Sequence, residues 1–538
     1  MRAATTIILT ILTLIAPLTT AMAAALDLAE AQRQGAVLRE ALALGADGDW
    51  PAAEARVAAV SDPLLADIVL WRKLRAGAGT QGEYRAYAAR RANWPGHEQL
   101  RKAVLGEVPP ARSAGLSGEA AENWRAFSKA YGKDRDAAAA LLDRYSASAE
   151  ALGQPARWAD RRRRLARDAM RDGNPALGYR LAAQHHLGPG DGYAYADCEW
   201  AAGWIALRGL KDPAAALPHF ERFDAAVDTP ISRARAGYWL GRTHAALGNE
   251  TAARAAYASA AEFQTAFYGQ LAAAEIGAAP DQRLADAALP DWRTTPALAT
   301  DDVRMAAVLY YAGQEGLAAA SFRRIGRGLN DETALAALGA LSIEIGQPQV
   351  AVRVAKMAAR KGMLIFPAYY PLHAVGGVVT EIEPALALAV SRQETEFDAT
   401  AISRSGARGL MQLMPRTAQL VARQIGEPYS QRRLITDWRY NARLGSRYMG
   451  DRVKQFGGSY LLAAAAYNAG PRRAEEWIAA YGDPRLASVD AVDWIETIPF
   501  RETRNYVQRV MEALYVYRTR IAGRAGPMTL PADLARGG

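Results

Sequence analysis

Cysteine is almost absent: Cys198 is the single one in 538 residues. No internal disulfide can form, so stability must come from packing, and Cys198 itself reads as core. A lipid-anchored start would need a cysteine just after the N-terminal apolar run, and Cys198 lies far downstream. The six histidines, the adjacent His185 and His186 included, form no recognisable ligand set, so neither a metal nor a cofactor is expected. The apolar run from Ile7 to about Leu18 contains Pro17 and falls short of the ~20 residues of a spanning helix, so no stable membrane insertion is expected. The basic residues behind the formal charge of +9 are scattered, without a helix-turn-helix, zinc or RNA-binding signature, and a nucleic-acid partner is not expected.

Half of the residues are hydrophobic, enough for more than one core, and apolar residues recur three and four apart. The fold class is therefore mainly α. Met1-Arg2, the short apolar run and Ala21-Met22-Ala23-Ala24 read as a signal peptide over 1–25, which implies export and a soluble mature chain in the periplasm. A net positive charge favours acidic polymers, and an exported chain would meet the carboxylate-bearing peptides of a cell wall.

Residues 26–361 read as stacked helical pairs forming a degenerate solenoid. Turn residues Lys211, Gly248 and Gly313 are each followed nine positions later by Phe220, Tyr257 and Phe322. Small alanine faces allow close helix approach, with Trp204, Trp239 and Tyr257 expected to fill the wider gaps between layers. Phe366-Pro367-Ala368-Tyr369-Tyr370-Pro371 breaks the helical period, which places a junction before a second domain at 366–523. The Gly-, Pro- and Arg-rich stretch 524–538 reads as a flexible tail.

The second domain carries the candidate chemistry. A helix can start at Pro384 and run towards Asp398, placing Glu394 on the stripe of Leu386 and Val390 and turning Glu396 towards water. A carboxyl among apolar groups has a raised pKa and stays protonated near neutrality, as a general acid must. Then come SRSGARGLMQLMP with the amide of Gln412, AAAAYNAGP with Gly470 ending a helix, and ETIPFRETRNYV with Glu502 and Tyr506 one turn apart.

In order and spacing these four segments resemble the catalytic domain of the soluble lytic murein transglycosylases: Glu394-Thr395, Gly409-Leu410-Met411-Gln412, Ala466-Tyr467-Asn468-Ala469-Gly470, and Ile498 through Val507. The resemblance implies a goose-type lysozyme fold, α with a small β part, for the C-terminal domain. It implies a ring-like N-terminal superhelix before it. By position it makes Glu394 the catalytic acid and base, with Ser403, Gln412, Met414, Tyr467, Glu502 and Tyr506 lining the glycan groove. Asn468 is expected to hold the turn instead of touching sugar. The sequence departs from the family pattern at Thr395, where serine is commoner, and at Asp398, where asparagine is.

The implied activity is that of a carbon–oxygen lyase: cleavage of the β-1,4 bond between N-acetylmuramic acid and N-acetylglucosamine in peptidoglycan, leaving a 1,6-anhydromuramoyl end and using one glutamate. Alternatives are a hydrolytic lysozyme on the same fold, with Glu396, Asp398 or Glu502 activating water, and a non-catalytic wall-binding scaffold. Glycan strands are the expected partner, with wall-synthesis or envelope-assembly proteins recruited through the helical array.

Overall fold

The computed structural model describes residues 26–105 and 116–537, and the expected signal peptide at 1–25 lies outside them. Helix dominates. Among the described residues extended pairing is confined to the isolated antiparallel bridges Ile402–Arg408 and Arg408–Leu413, the small β part of the expected fold class. No helix among them is long and apolar enough to cross a membrane.

The chain divides into two compact units, one combining 26–105 with 292–325 and the other 116–291 with 326–537. In the first, the helix Leu28–Ala46 packs against Asp301–Tyr311. Asp67, buried on Pro63–Arg75, accepts from Arg90 and Arg91 at 2.7 and 2.8 Å. Gly313 ends a helix with φ +78°, and Phe322, nine residues on, is fully buried.

The second unit begins with helical hairpins whose ends the sequence marks clearly. Pro155, Pro175, Pro213 and Pro230 open helices at their first turn, where a missing N–H costs nothing. Asn174, Asp212 and Asn249 cap the N–H groups of Leu177, Ala215 and Ala252 at 3.1, 2.9 and 3.1 Å. Lys211 and Gly248 adopt the left-handed turn conformation, while Phe220 and Tyr257 are buried, so the expected turn-to-core spacing holds. Trp204, Trp239 and Cys198 are fully buried core residues, as expected. Pro230–Ala246 lies so close to the next helix that a Cβ at Gly241 would meet the Tyr257 ring at 2.4 Å.

The stretch expected as the domain junction is not an exposed linker. Phe366–Tyr369 forms one buried helical turn, and Tyr370, also buried, donates its hydroxyl to the Thr265 carbonyl at 3.1 Å. The tail differs from expectation as well. Leu530–Ala535 is a helix with Leu530 and Leu534 buried, held by Arg518 on Asp533 at 2.7 Å, so two apolar contacts and an ion pair order a stretch whose composition suggested fraying.

The hairpins join the C-terminal segment through charge. Glu496, 1% exposed, accepts from Arg167 at 3.0 Å, Arg235 at 3.2 Å, Gln508 at 3.0 Å and the Tyr268 hydroxyl. Burial alone would raise its carboxyl, but the guanidiniums of Arg235 and Arg167 outweigh that and hold it at about 2. Replacing Glu496 with alanine leaves the buried Arg167 without its carboxylate and takes one of two from the part-buried Arg235, and is expected to cost about 3–5 kcal/mol. A lowered urea midpoint, followed by the fluorescence of Trp200 and Trp204 beneath Arg167, would register the loss; an unchanged midpoint would contradict it.

Candidate active site

The helix Pro384–Thr395 starts at its proline and buries nearly every side chain from Ala385 to Arg392. It stops one turn earlier than its sequence period suggested. Glu396 and Phe397 take left-handed conformations, φ +56° and +71°, without a glycine between them. Such residues cost of order 1–3 kcal/mol each and persist only where the surroundings compensate. Here Glu396 accepts from Arg353 at 2.5 Å and Lys356 at 2.6 Å. Phe397 is buried and stacks on His373 at 5.2 Å, which in turn meets Trp438 edge-on at 4.9 Å. The expectation that Glu396 faces water therefore fails, because it caps the helix and is held by two cations.

Glu394, one residue before the helix end, is partly buried and makes no ion pair among the described residues. Burial pushes its carboxyl up to about 8; the Tyr506 hydroxyl opposes the rise and the negative charge of Glu502 adds to it. Near neutrality the group is a protonated acid. Tyr506 is 3% exposed, and its hydroxyl has no hydrogen bond of normal geometry among the described residues. It lies close enough to Glu394 to favour that carboxyl's ionised form.

Tyr467 also lies within electrostatic reach of Glu394, and its hydroxyl donates to the Met411 carbonyl at 2.7 Å while its ring packs on Tyr448. Glu502 stands exposed in the first turn of Arg501–Ala522, the long helix that packs against Pro384–Thr395. Thus Tyr467, Glu502 and Tyr506 converge on Glu394. Ser403 and Gln412 do different work. The Ser403 hydroxyl accepts from the Ala407 N–H at 3.0 Å, and the Gln412 amide donates to the Gly409 and Ala401 carbonyls at 2.9 and 3.2 Å. Both shape the 401–413 loop from within. Met414, 43% exposed, precedes the helix Pro415–Gln424. Asn468 accepts from the Thr503 hydroxyl at 2.6 Å, tying two helices together.

Thr395 was visible in the sequence as part of the glutamate motif, but neither its contact nor Asn441 was foreseen. Thr395 donates to the Leu410 carbonyl at 2.9 Å, joining the glutamate helix to the 401–413 loop. Asn441, fully buried in Trp438–Gln455, donates to the Arg408 and Leu434 carbonyls at 2.8 and 3.1 Å and accepts from Met411 N–H at 2.8 Å. The loop fits only because position 409 is glycine: φ is +74°, and a Cβ would stand 1.8 Å from the Leu434 oxygen. GLMQ was visible as a motif, but its partner thirty residues on had no signature.

Residues 377–487 match the family model described as the transglycosylase SLT domain. Residues 497–525 match that of the soluble lytic transglycosylase helical domain, a match on the long C-terminal helix and not on the N-terminal array. The soluble lytic murein transglycosylase of Escherichia coli K12 is 38% identical over 140 residues, and that of Salmonella typhimurium 36% over 139. Each match spans 26% of this chain and only 21% of the relative. Over 94% of this chain and 98% of the other, the structure resembles the 70 kDa soluble lytic transglycosylase of E. coli, with a TM-score of 0.52 and 19% identity. A complex of the 70 kDa soluble lytic transglycosylase with bulgecin A gives 0.53 and 18% over 94% and 99%. These likenesses bear out the mainly α fold class.

Substituting Asn441 with alanine leaves two carbonyls and one N–H without their partner, and about 2–4 kcal/mol of local stability should be lost. Hydrogen exchange of a peptide covering 401–414 should quicken, whereas unaltered protection would mean that Asn441 does not hold the loop.

Proposed function

We propose that this chain, whose 377–487 segment matches the transglycosylase SLT domain, cleaves the β-1,4 bond between N-acetylmuramic acid and N-acetylglucosamine in peptidoglycan and leaves a 1,6-anhydro end. The observation that carries this reading is the Glu394 carboxyl, partly buried, unpaired among the described residues and raised to about 8. A group in that state can donate a proton to the leaving glycosidic oxygen at neutral pH. The substrate's acetamido group would stabilise the cationic centre. The Tyr506 hydroxyl, which favours the ionised form of Glu394, would steady the carboxylate that remains. That carboxylate then takes the proton of the C6 hydroxyl as its oxygen attacks C1, so the ring closes without water and Glu394 ends as it began.

Tyr467, Glu502 and Tyr506 would position the muramoyl sugar, and the 401–413 loop with Ser403 and Gln412, followed by Met414, would form one wall of the groove. We assign the glycan chemistry to 366–523 and the recruitment of wall-synthesis or envelope-assembly proteins to the helical array within 26–361, in a chain exported to the periplasm.

Mass spectrometry of peptidoglycan digested by the wild type and by Glu394→Gln tests the proposal. Anhydro ends should appear with the wild type and fall by roughly 10²–10⁴-fold in rate with the variant. The acid must be protonated, so the rate should hold below neutrality and decline as pH rises through about 8. Reducing ends, one water heavier, would identify a hydrolase, with Glu502 as the carboxylate electrostatically coupled to Glu394. No products from either protein would leave a binding scaffold.

A further inference from the structure

The helix that carries Glu394 ends on two consecutive left-handed residues, Glu396 and Phe397, at a place where helices ordinarily use glycine. Glu396 still closes the last turn, its N–H donating to the Arg392 carbonyl at 3.0 Å. Its carboxylate points to another helix, accepting from Arg353 at 2.5 Å and Lys356 at 2.6 Å. Both cations stand one turn apart on Pro348–Ala359, which lies before the matched segment 377–487 and packs on Glu332–Glu344 and on the turn Phe366–Tyr369. Neither cation has a second carboxylate within ion-pair distance among the described residues. Glu512, which also acts on Lys356, is paired with Arg509 at 3.0 Å, and Arg392 and Arg509 add positive charge around Lys356. Glu396 is thus the acid that joins Pro348–Ala359 to the end of the glutamate helix.

We infer that Glu396 is a positioning residue through which the helix Pro348–Ala359 sets the place of the Glu394 carboxyl, on the reading that Glu394 is the acid of the glycan cleavage. A glycine would hold a left-handed helix end whatever its neighbours did. A glutamate holds it only while its ion pairs compensate the conformation, so this helix end is conditional on Pro348–Ala359 being docked. Without the two cations the backbone at 396 relaxes towards its ordinary range. The last turn, with Glu394 and the Thr395 link to the Leu410 carbonyl, then moves with it. A displaced Glu394 loses the burial that keeps it protonated and the register with Tyr506, so both its proton affinity and its reactivity fall. Whatever shifts Pro348–Ala359 is therefore felt at the acid.

The test removes the clamp from the far side and then makes it unnecessary. In the full chain, Arg353→Met with Lys356→Met leaves the glutamate helix untouched, and Glu396→Gly is then added to that pair. Two readings are taken: kcat and KM on soluble glycan strands, and the protonation midpoint of Glu394 by infrared difference against the same chain carrying Glu394→Gln. The double variant should lose about tenfold in kcat with KM nearly unchanged, and the midpoint should fall from about 8 towards the ordinary 4.5. Adding Glu396→Gly should recover most of the kcat and of the midpoint, because glycine holds the left-handed end unaided. A role in stability alone predicts the reverse, since a third substitution would only weaken the protein further. Lys356→Met by itself leaves one ion pair in place and should show both changes at smaller amplitude, so the test does not hang on the double variant folding. Wild-type kcat and midpoint after loss of the clamp, or a triple variant no better than the double, would overturn the inference. A wild type that cuts no glycan contradicts the assigned activity, while the infrared midpoint, which needs no turnover, still decides the coupling.

Discussion

The C-terminal part of this protein is organised around a partly buried carboxyl without a cation beside it. Two other buried acids sit beside cations: Glu496 with Arg167 and Arg235, and Glu199 with Arg222 and hydrogen bonds to His185 and His219. Their carboxyls stay well down. Glu394 instead rises to about 8, with a tyrosine hydroxyl as its main counterweight and a negative charge in view. Two acids on one helix end thus part company, since Glu396, two residues on, is drawn below its ordinary value by Lys356 and Arg353 in spite of its burial. Sequence neighbours receive opposite protonation states from their surroundings.

Holding that arrangement falls to groups that touch no substrate in the proposed reaction. Left-handed Glu396 and Phe397 end the helix one residue after Glu394, anchored by two cations and the His373 ring. Thr395 and Asn441 fix the 401–413 loop from two sides, through the Leu410 carbonyl and through Arg408, Leu434 and Met411. Arg392 is buried against Tyr369 and Tyr370 and donates to the Tyr369 carbonyl at 2.8 Å. Rigid support of this kind would hold Glu394 within the small tolerance that the proposed proton transfer demands.

Much of this was legible in the sequence because it is local. Helix starts are written in prolines and capping residues, turn-to-core spacing in Lys211 with Phe220 and Gly248 with Tyr257, and the inward face of Glu394 in its register with Leu386 and Val390. What stayed hidden depends on distant partners. A helical period cannot reveal that Glu396 will turn left-handed to meet Arg353 and Lys356, forty or more residues earlier, nor that Asn441 will close a loop thirty residues before it. The C-terminal stretch looked unstructured by composition, yet Leu530, Leu534 and Asp533 find an apolar seat and Arg518. Ser403 and Gln412 were visible as polar residues of a motif, but not that their side chains bond chiefly to their own loop.

The central claim is the protonation state of Glu394. Difference infrared spectroscopy between the wild type and Glu394→Gln, followed from about pH 4 to about pH 9, isolates its carboxyl band. The protonated band should persist through neutrality and vanish with a midpoint near about 8. A midpoint near the ordinary glutamate value of 4.5 would contradict the account, for the group would then be a carboxylate at neutral pH with no proton to give.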